Sequence, residues 1–301
     1  FSGNILNLQN FETNPRHKFI KGNICNRSLV DQIIEEYKID AIINFAAETH
    51  VDRSLLNPSE FIQTNIVGTE VLLEVAAEHN IKRFIQISTD EVYGSTELGV
   101  SFNEESPLHP NSPYAASKAS SDLIVRSFVK SFNLPAIIVR STNNFGEFQH
   151  IEKFIPLAIL KTMRNEKIPI YGSGENRRDW LYVEDNCRAI LSVLENGKPD
   201  EIYNVSANNE KSNLEIADII LKHFWKSRDL LEFVDDRPAH DLRYSIDASK
   251  IKEQLGWSPI FSFEEAMLNT ILWYKNNQTW INKIYEDENF QKYYKIQYRS
   301  V

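Results

Sequence analysis

A tyrosine and a lysine at helical spacing are the first candidates for chemistry in this sequence. Tyr114 precedes Lys118 by four residues, so both side chains would lie on one face of a helix. An ammonium beside a phenol favours the phenolate, which would lower the tyrosine pKa from about 10 toward the range of a general base. Taken alone, the pair is more typical of a solvated helix face. Pro113, at the expected helix start, and the small residues that follow favour the catalytic interpretation.

Two neighbouring carboxylates supply a second candidate. Thr89, Asp90 and Glu91 directly follow an apolar run at residues 83–88. Carboxylates that share a partly buried cleft raise each other's pKa and can divide the roles of acid and base. The alternative is an acidic turn that caps a helix. The presence of Tyr114 and Lys118 in the same chain favours catalysis.

Two small residues follow a third apolar run, which is a predicted strand. Ala46 and Ala47 follow the apolar run at 41–45, and side chains of this size let a cofactor lie close to the backbone. Core packing explains the two alanines equally well. His50, a little further on, is interpreted as a hydrogen-bonded structural histidine.

The elements that must position these residues alternate between strand and helix. The predicted strands lie at 18–22, 41–45, 83–88 and 136–140, and the predicted helices at 28–37, 65–79 and 115–132. This alternation predicts an α/β fold, a Rossmann-like doubly wound parallel sheet. Ligands in such folds bind beyond the carboxyl ends of the strands.

The alternation loosens after residue 145, which predicts a smaller C-terminal lobe. We expect residues 1–145 to form a nucleotide-binding domain and 146–301 to form mainly a substrate-binding lobe, with part of 179–203 returning to the first domain. Helical patterns at 154–163, 212–225 and 263–276 and extended segments at 169–172 and 201–205 build the second half. The tail from residue 278 to 301 is expected to be a peripheral helix or a ragged end.

No G-x-G-x-x-G fingerprint occurs in the 301 residues. A Rossmann domain carries this glycine-rich turn after its first strand, where it holds a pyrophosphate. We therefore expect the first strand, the turn and the first helix of such a domain to be missing from this sequence.

Composition excludes several functional classes. Lys and Arg total 33 against 42 Asp and Glu, and the net charge of -9 disfavours binding to nucleic acid or to an anionic membrane surface. No apolar run reaches the length of about 18 residues that spans a bilayer. Two cysteines and seven scattered histidines show no metal-ligand spacing and no disulfide framework. A cytoplasmic protein without a metal site is expected.

Six segments together resemble the dTDP-glucose 4,6-dehydratases, which are extended short-chain dehydrogenase/reductases. The segments are 46–54, 88–94, 113–118, 143–146, 178–180 and 236–241. The Tyr-x-x-x-Lys spacing identifies only the superfamily, whereas Thr-Asp-Glu after the strand is specific for the dehydratase branch. The resemblance runs from about residue 3 to about residue 274.

The resemblance implies an NAD that is reduced and reoxidised within each turnover. Tyr114 would remove the C4 hydroxyl proton as hydride leaves C4, with Lys118 lowering the tyrosine pKa and Thr89 binding the C4 oxygen. Glu91 would then take the C5 proton while Asp90 protonates the departing C6 hydroxyl. The product would be a 4-keto-6-deoxy sugar nucleotide.

The resemblance also implies two sets of binding residues and a homodimer. The cofactor set is Asn23, Ile24, Ala46, Ala47, Thr49, Thr64, Tyr114, Lys118 and Asn144. The nucleotide-sugar set is Thr49, Thr89, Asp90, Glu91, Asn143, Lys153, Phe154, Pro169, Tyr171, Arg178, Asn204, Arg237 and His240. Two arginines in the second set suit a diphosphate, because guanidinium groups match phosphate oxygens. Asn23 departs from the family, which carries Asp there.

The sequence is also compatible with two other kinds of protein. One is a nucleotide-sugar epimerase, or a dehydratase acting on another nucleotide sugar. The other is an NAD-free homologue that only binds sugar nucleotides, which the missing glycine-rich turn would allow.

Overall fold

The predicted apolar runs form one parallel sheet. The computed structural model describes residues 3–238, 240–288 and 290–292. The strands are β1 Ala41–Asn44, β2 Arg83–Thr89, β3 Ala136–Ser141, β4 Asn143–Phe145, β5 Ile168–Tyr171, β6 Arg177–Tyr182, β7 Ile202–Val205, β8 Glu210–Ser212 and β9 Leu231–Val234. Strands β1, β2, β3 and β7 lie side by side in that order, and each neighbouring pair is parallel.

Helices cover both faces of this sheet. The helices are α1 Arg27–Tyr37, α2 Val51–Leu56, α3 Pro58–Phe61, α4 Gly68–Glu78, α5 Pro113–Phe132, α6 Phe154–Met163, α7 Val183–Asn196, α8 Asn213–His223, α9 Ser249–Leu255, α10 Phe263–Asn276 and α11 Gln278–Tyr285. Phe84 and Ile138 pack against α1, α4 and α5, whereas Ile85, Ile137 and Val139 pack against α7 and α9. Successive strand side chains point to opposite faces, which explains why nearly every strand position is apolar. The predicted α/β class with a doubly wound parallel sheet is confirmed.

The second half of the chain has its own small sheets and apolar core. Strand β6 pairs with β4 in parallel and with β8 antiparallel, and β5 pairs with β9 in parallel. The core of this half packs α6, α8, α10 and α11 together. Strand β7 returns to the four-stranded sheet, so the chain crosses between the two halves more than once.

Helix α5 begins where a side chain can satisfy its free backbone donors. The Ser112 side chain accepts a hydrogen bond from the backbone N–H of Ala115, and Pro113 occupies the first turn. These two features fix the start of the helix, and therefore the direction in which Tyr114 leaves it. The predicted helical pattern at 65–79 begins differently, because residues Ile62–Val67 form a π-helical stretch before α4.

Two predictions about local structure are wrong. Residues 18–22 form no strand, and they pair with none of the strands among the described residues. The first part of the tail is not peripheral, since α11 buries Trp280, Ile281 and Ile284 in the core of the second half. The part of the tail at 293–301 lies outside the described residues. Within the described part, no helix combines the length and apolar character needed to cross a bilayer.

Candidate active site

The carboxyl edge of the four-stranded sheet opens into a cavity of about 190 Å³. Strands β1, β2 and β3 all end at this edge because they are parallel. The segments that follow β5 and β9 supply further walls. Eleven residues predicted from the sequence line the cavity: Thr49, Glu91, Asn143, Asn144, Lys153, Phe154, Pro169, Tyr171, Arg178, Arg237 and His240.

The acidic pair lies in a short 3-10 turn at the end of β2. The Thr89 hydroxyl accepts from the backbone N–H of Glu91 at 3.3 Å and donates to Asp90 Oδ1 at 3.1 Å. Asp90 is 2% exposed, and none of the residues that the structure describes forms a hydrogen bond with its Oδ2. Burial, with the carboxylate of Glu91 next to it, raises the pKa of Asp90 to about 8. Asp90 is therefore protonated at neutral pH and can act as an acid.

Glu91 faces the cavity and several cations. Burial raises the pKa of Glu91, whereas Arg237, Arg178 and Lys153 oppose that rise. The two adjacent carboxyl groups thus have different surroundings, one enclosed and one facing positive charge. Two carboxyl groups in different surroundings can hold their protons differently, as is needed when one acts as the acid and the other as the base.

Tyr114 is brought next to the acidic pair by the start of α5. Its pKa is raised by burial and by the negative charge of Glu91, while the Thr89 hydroxyl lowers it. Lys118, one turn later, donates from Nζ to the backbone oxygen of Ile87, and burial lowers the lysine pKa to about 8. The predicted lowering of the tyrosine pKa by Lys118 is therefore outweighed in this structure.

A buried polar network supports the catalytic turn from behind. Asp122 Oδ2 accepts from the Ser88 hydroxyl at 3.0 Å and from Arg140 Nε at 2.9 Å. Arg140 Nη1 donates to the Tyr93 hydroxyl, which in turn donates to Asn204 Oδ1 at 2.9 Å. These contacts tie α5 to the ends of β2, β3 and β7. They also place Asn204 in this network and not in the cavity wall.

The predicted cofactor residues lie mostly along the sheet edge outside the cavity. The predicted residues that do not line the cavity are Asn23, Ile24, Ala46, Ala47, Thr64, Thr89, Asp90, Tyr114, Lys118 and Asn204. Asn65 holds the loop after β1 in place, accepting from Glu48 N at 2.8 Å and donating to Glu48 O at 3.0 Å. Gly68 lets α4 approach Ile24, because a Cβ at Gly68 would meet Ile24 Cδ1 at 2.5 Å.

Three cationic residues line the cavity and are held in different ways. Arg178 donates to the backbone oxygens of Arg177 and Asp241 at 2.7 and 3.0 Å, and its guanidinium lies 4.3 Å from the centre of the Tyr244 ring. Arg237 Nη1 donates to Asp52 Oδ1 at 2.9 Å. Lys153 Nζ donates to the backbone oxygen of Thr49 at 3.4 Å. Together they make this wall suitable for a diphosphate.

Sequence reasoning missed several polar cavity residues. They are Asp52, Gln149, Glu152, Asn213 and Tyr244, and His50 lines the cavity as well. His50 and Asp52 belong to a segment already singled out at 46–54, so that segment was the available signal. The other four reach the cavity only through folding of the second half.

Comparisons with known proteins agree on one family. The family model described as GDP-mannose 4,6 dehydratase matches residues 2–270. A dTDP-glucose 4,6-dehydratase from Streptomyces niveus is 45% identical over 280 residues, which cover 93% of this chain and 82% of the relative. The crystal structure of DesIV, a dTDP-glucose 4,6-dehydratase from Streptomyces venezuelae with NAD and TYD bound, matches with a TM-score of 0.90 at 42% identity. It covers 92% of this chain and 85% of DesIV.

An epimerase shares the fold at lower identity. The structure of UDP-glucose 4-epimerase from Thermotoga maritima with UDP-glucose matches with a TM-score of 0.86 and 26% identity. The match covers 92% of this chain and 89% of the epimerase.

Proposed function

The chain belongs to the dTDP-glucose 4,6-dehydratases, in the family whose model is described as GDP-mannose 4,6 dehydratase, and we propose how its own residues carry out that reaction. The enzyme is an NAD-dependent hydro-lyase that converts dTDP-glucose to dTDP-4-keto-6-deoxyglucose. The main support for these residue roles is the position of the buried pair Asp90 and Glu91. The pair lies beside Tyr114, at the edge of the cavity whose wall carries Arg178 and Arg237.

The nucleotide sugar binds in the cavity with its diphosphate against the wall that carries Arg178 and Arg237. Arg178 and Arg237 offer guanidinium groups, and Lys153 adds an ammonium. Thr49, Asn143, Phe154, Pro169, Tyr171 and His240 complete the proposed nucleotide-sugar site, and Asn204 contributes from the network behind it.

NAD fits the residues present at the sheet edge. The side-chain oxygen of Asn144 is buried and has no hydrogen-bond partner in the described part of the chain, as expected of a group that receives a ligand donor. Small side chains at Ala46 and Ala47 follow β1, where a cofactor lies in doubly wound sheets. The proposed cofactor residues are Asn23, Ile24, Ala46, Ala47, Thr49, Thr64, Tyr114, Lys118 and Asn144. We assign these residues to a nucleotide-binding domain formed by 1–145 with part of 179–203, and we assign 146–301 mainly to the sugar-nucleotide lobe.

Bound NAD would supply the acceptor for the hydride that leaves C4 and the donor that returns it to C6. In its phenolate form, Tyr114 Oη removes the proton of the C4 hydroxyl, and the Thr89 hydroxyl binds the C4 oxygen. The C4 ketone acidifies the C5 proton, which Glu91 removes as a general base. Asp90, which holds a proton at neutral pH, delivers it to the departing C6 oxygen as water leaves. When the hydride returns to C6, a proton must return to C5, and the Glu91 carboxyl that took the C5 proton is placed to give it back.

Measuring the product distinguishes this reaction from its alternatives. Incubation with dTDP-glucose is expected to give a 4-keto-6-deoxy nucleotide sugar, detected by its absorbance in alkali. An epimerase would return a sugar that still carries its C6 hydroxyl, and a binding homologue would return the substrate unchanged. Activity on another nucleotide sugar in preference to dTDP-glucose would contradict only the substrate assignment.

The pKa of the acid predicts a pH dependence. We expect kcat/KM to fall as the pH rises through about 8, because this profile reports the groups of the free enzyme and Asp90 must be protonated to release water. The pKa of Lys118 is lowered to about 8, so loss of its proton acts in the same direction. The fall should therefore be steeper than a single titration. A pH profile of kcat/KM that stays level through this range would contradict the role of Asp90.

We also propose a cytoplasmic homodimer. Both cysteines are free, as is usual in a reducing compartment. Helix α5 exposes Leu123 and Phe132, and Ile62 of the neighbouring π-helical stretch is exposed as well. Apolar side chains on adjacent elements favour a second copy as the partner. Sedimentation velocity measures the state directly, and a monomer at micromolar concentration would contradict the proposal.

A further inference from the structure

One carboxylate joins the two halves of the protein across the cavity. Asp52 stands in the first turn of α2, which follows β1. Its Oδ1 accepts from Arg237 Nη1 at 2.9 Å, and its Oδ2 accepts from the Tyr171 hydroxyl at 3.2 Å. The partners are 185 and 119 residues away in sequence. All three residues line the cavity.

A carboxylate at the position of Asp52 weakens binding of an anionic substrate, so its presence needs a compensating role. The proposed ligand carries a diphosphate, and a carboxylate beside it both repels the phosphate oxygens and neutralises part of the arginine charge. Glu91 is a further carboxylate that acts on Arg237. A site built only for electrostatic attraction would omit Asp52.

The compensating role is visible in how the two cavity arginines are held. Arg178 is fixed by backbone oxygens and by the Tyr244 ring. Arg237 stands in the segment after β9, and its guanidinium pairs with Asp52. Its Nε is buried and has no hydrogen-bond partner among the described residues. Asp52 thus occupies one edge of the guanidinium and leaves Nε available for a ligand oxygen.

Helix α2 connects this contact to the catalytic helix. Val51, the neighbour of Asp52, packs against Phe61 and Tyr114 in a small buried cluster. The segment that carries Arg237 is therefore tied, through Asp52, to the helix that packs on the general base.

We propose that Asp52 is a positioning residue for nucleotide-sugar binding, which orients Arg237 toward the diphosphate and ties its segment to α2. The inference rests on the proposed function, because it assumes that a nucleotide diphosphate occupies the cavity. Asp52 does not touch the reacting carbons. Its removal should therefore affect KM and leave kcat nearly intact.

The test is a double-mutant cycle on the NAD-loaded enzyme. Asp52→Asn should raise KM for dTDP-glucose about three- to tenfold, the cost of ordering a free arginine side chain on binding. Arg237→Gln should raise KM about ten- to a hundredfold through loss of a charged hydrogen bond. In the Arg237→Gln background, Asp52→Asn should leave KM unchanged or lower it, because the unpaired carboxylate would then only repel the diphosphate.

Asp218→Asn is the matched control. Asp218 also pairs with an arginine, Arg228, but on the exposed surface of α8. Calorimetric binding of dTDP to the same variants gives a second readout that does not depend on turnover, and Asp52→Glu replaces Asp52→Asn if the latter does not fold. For this longer carboxylate, which displaces the guanidinium, we expect a raised KM.

Three results would overturn the inference while the wild-type enzyme still forms the 4-keto product. They are an unchanged KM in the Asp52 variant, a fall in kcat without a change in KM, and an equal KM increase from Asp52→Asn with and without Arg237. A wild-type protein that neither turns over dTDP-glucose nor binds dTDP would instead contradict the proposed function.

Discussion

The Asp90→Asn/Glu91→Gln double variant is expected to oxidise the sugar at C4 without releasing water from C6. Both substitutions keep the size and the hydrogen-bonding capacity of the side chains but remove proton exchange. Formation of the 4-keto-6-deoxy product should fall by at least about 10³-fold, since each acid or base contributes about 10² to 10⁴. Absorbance of reduced nicotinamide should accumulate, because Tyr114 and Thr89 still serve the first step.

The adjacent pair Glu35 and Glu36 provides the matched control. Both are exposed on α1, so Glu35→Gln/Glu36→Gln removes two neighbouring carboxylates away from the cavity. Its turnover should equal that of the parent. If the Asp90 and Glu91 variant completes turnover near the parental rate, the acidic pair is only a structural turn. If neither reduced nicotinamide nor product forms while substrate binds, the pair also positions C4.

Tyr114→Phe is expected to lower kcat by at least about 100-fold, the usual effect of losing a general base. Dissociation constants for the nucleotide sugar should change little, because the cavity wall that holds the diphosphate is intact. The reduced nicotinamide signal should not accumulate in this variant, which distinguishes a block before oxidation from the block after oxidation in the acidic-pair variant.

An exposed tyrosine serves as the control for this substitution. Tyr37 ends α1, and Tyr37→Phe removes a phenol hydroxyl far from the sheet edge. Near-normal turnover by Tyr114→Phe, with Tyr37→Phe also active, would show that another group removes the C4 proton.

Much of the fold follows from signals that are local in sequence. The continuous apolar runs of the strands, the helix start at Ser112 and Pro113 and the apolar stripes of the helices depend on neighbouring residues only. Parallel strands end at one edge, so the segments after β1, β2 and β3 could be expected to meet. The resemblance to the dTDP-glucose 4,6-dehydratases named Glu91, Asn143 and Thr49 as one set, and the structure brings them to one cavity at this edge.

What could not be predicted depends on contacts between distant residues. Nothing near Asp52 in sequence indicates Arg237 or Tyr171 as partners. The strand expected at 18–22 has a strand-like pattern, but a strand also needs a neighbour. The pKa of Tyr114 depends on burial and on Glu91 as well as on the lysine one turn away, which is why spacing alone gave the wrong direction.

The most direct test of the central claim follows the hydrogen at C4. The NAD-loaded enzyme is incubated with dTDP-glucose that carries deuterium at C4, and the product is examined by NMR and mass spectrometry. The account predicts a 4-keto-6-deoxy product that carries the deuterium at C6, since the hydride that leaves C4 is the one that returns. A product with deuterium retained at C4, or one whose C6 hydrogen comes entirely from solvent, would contradict it.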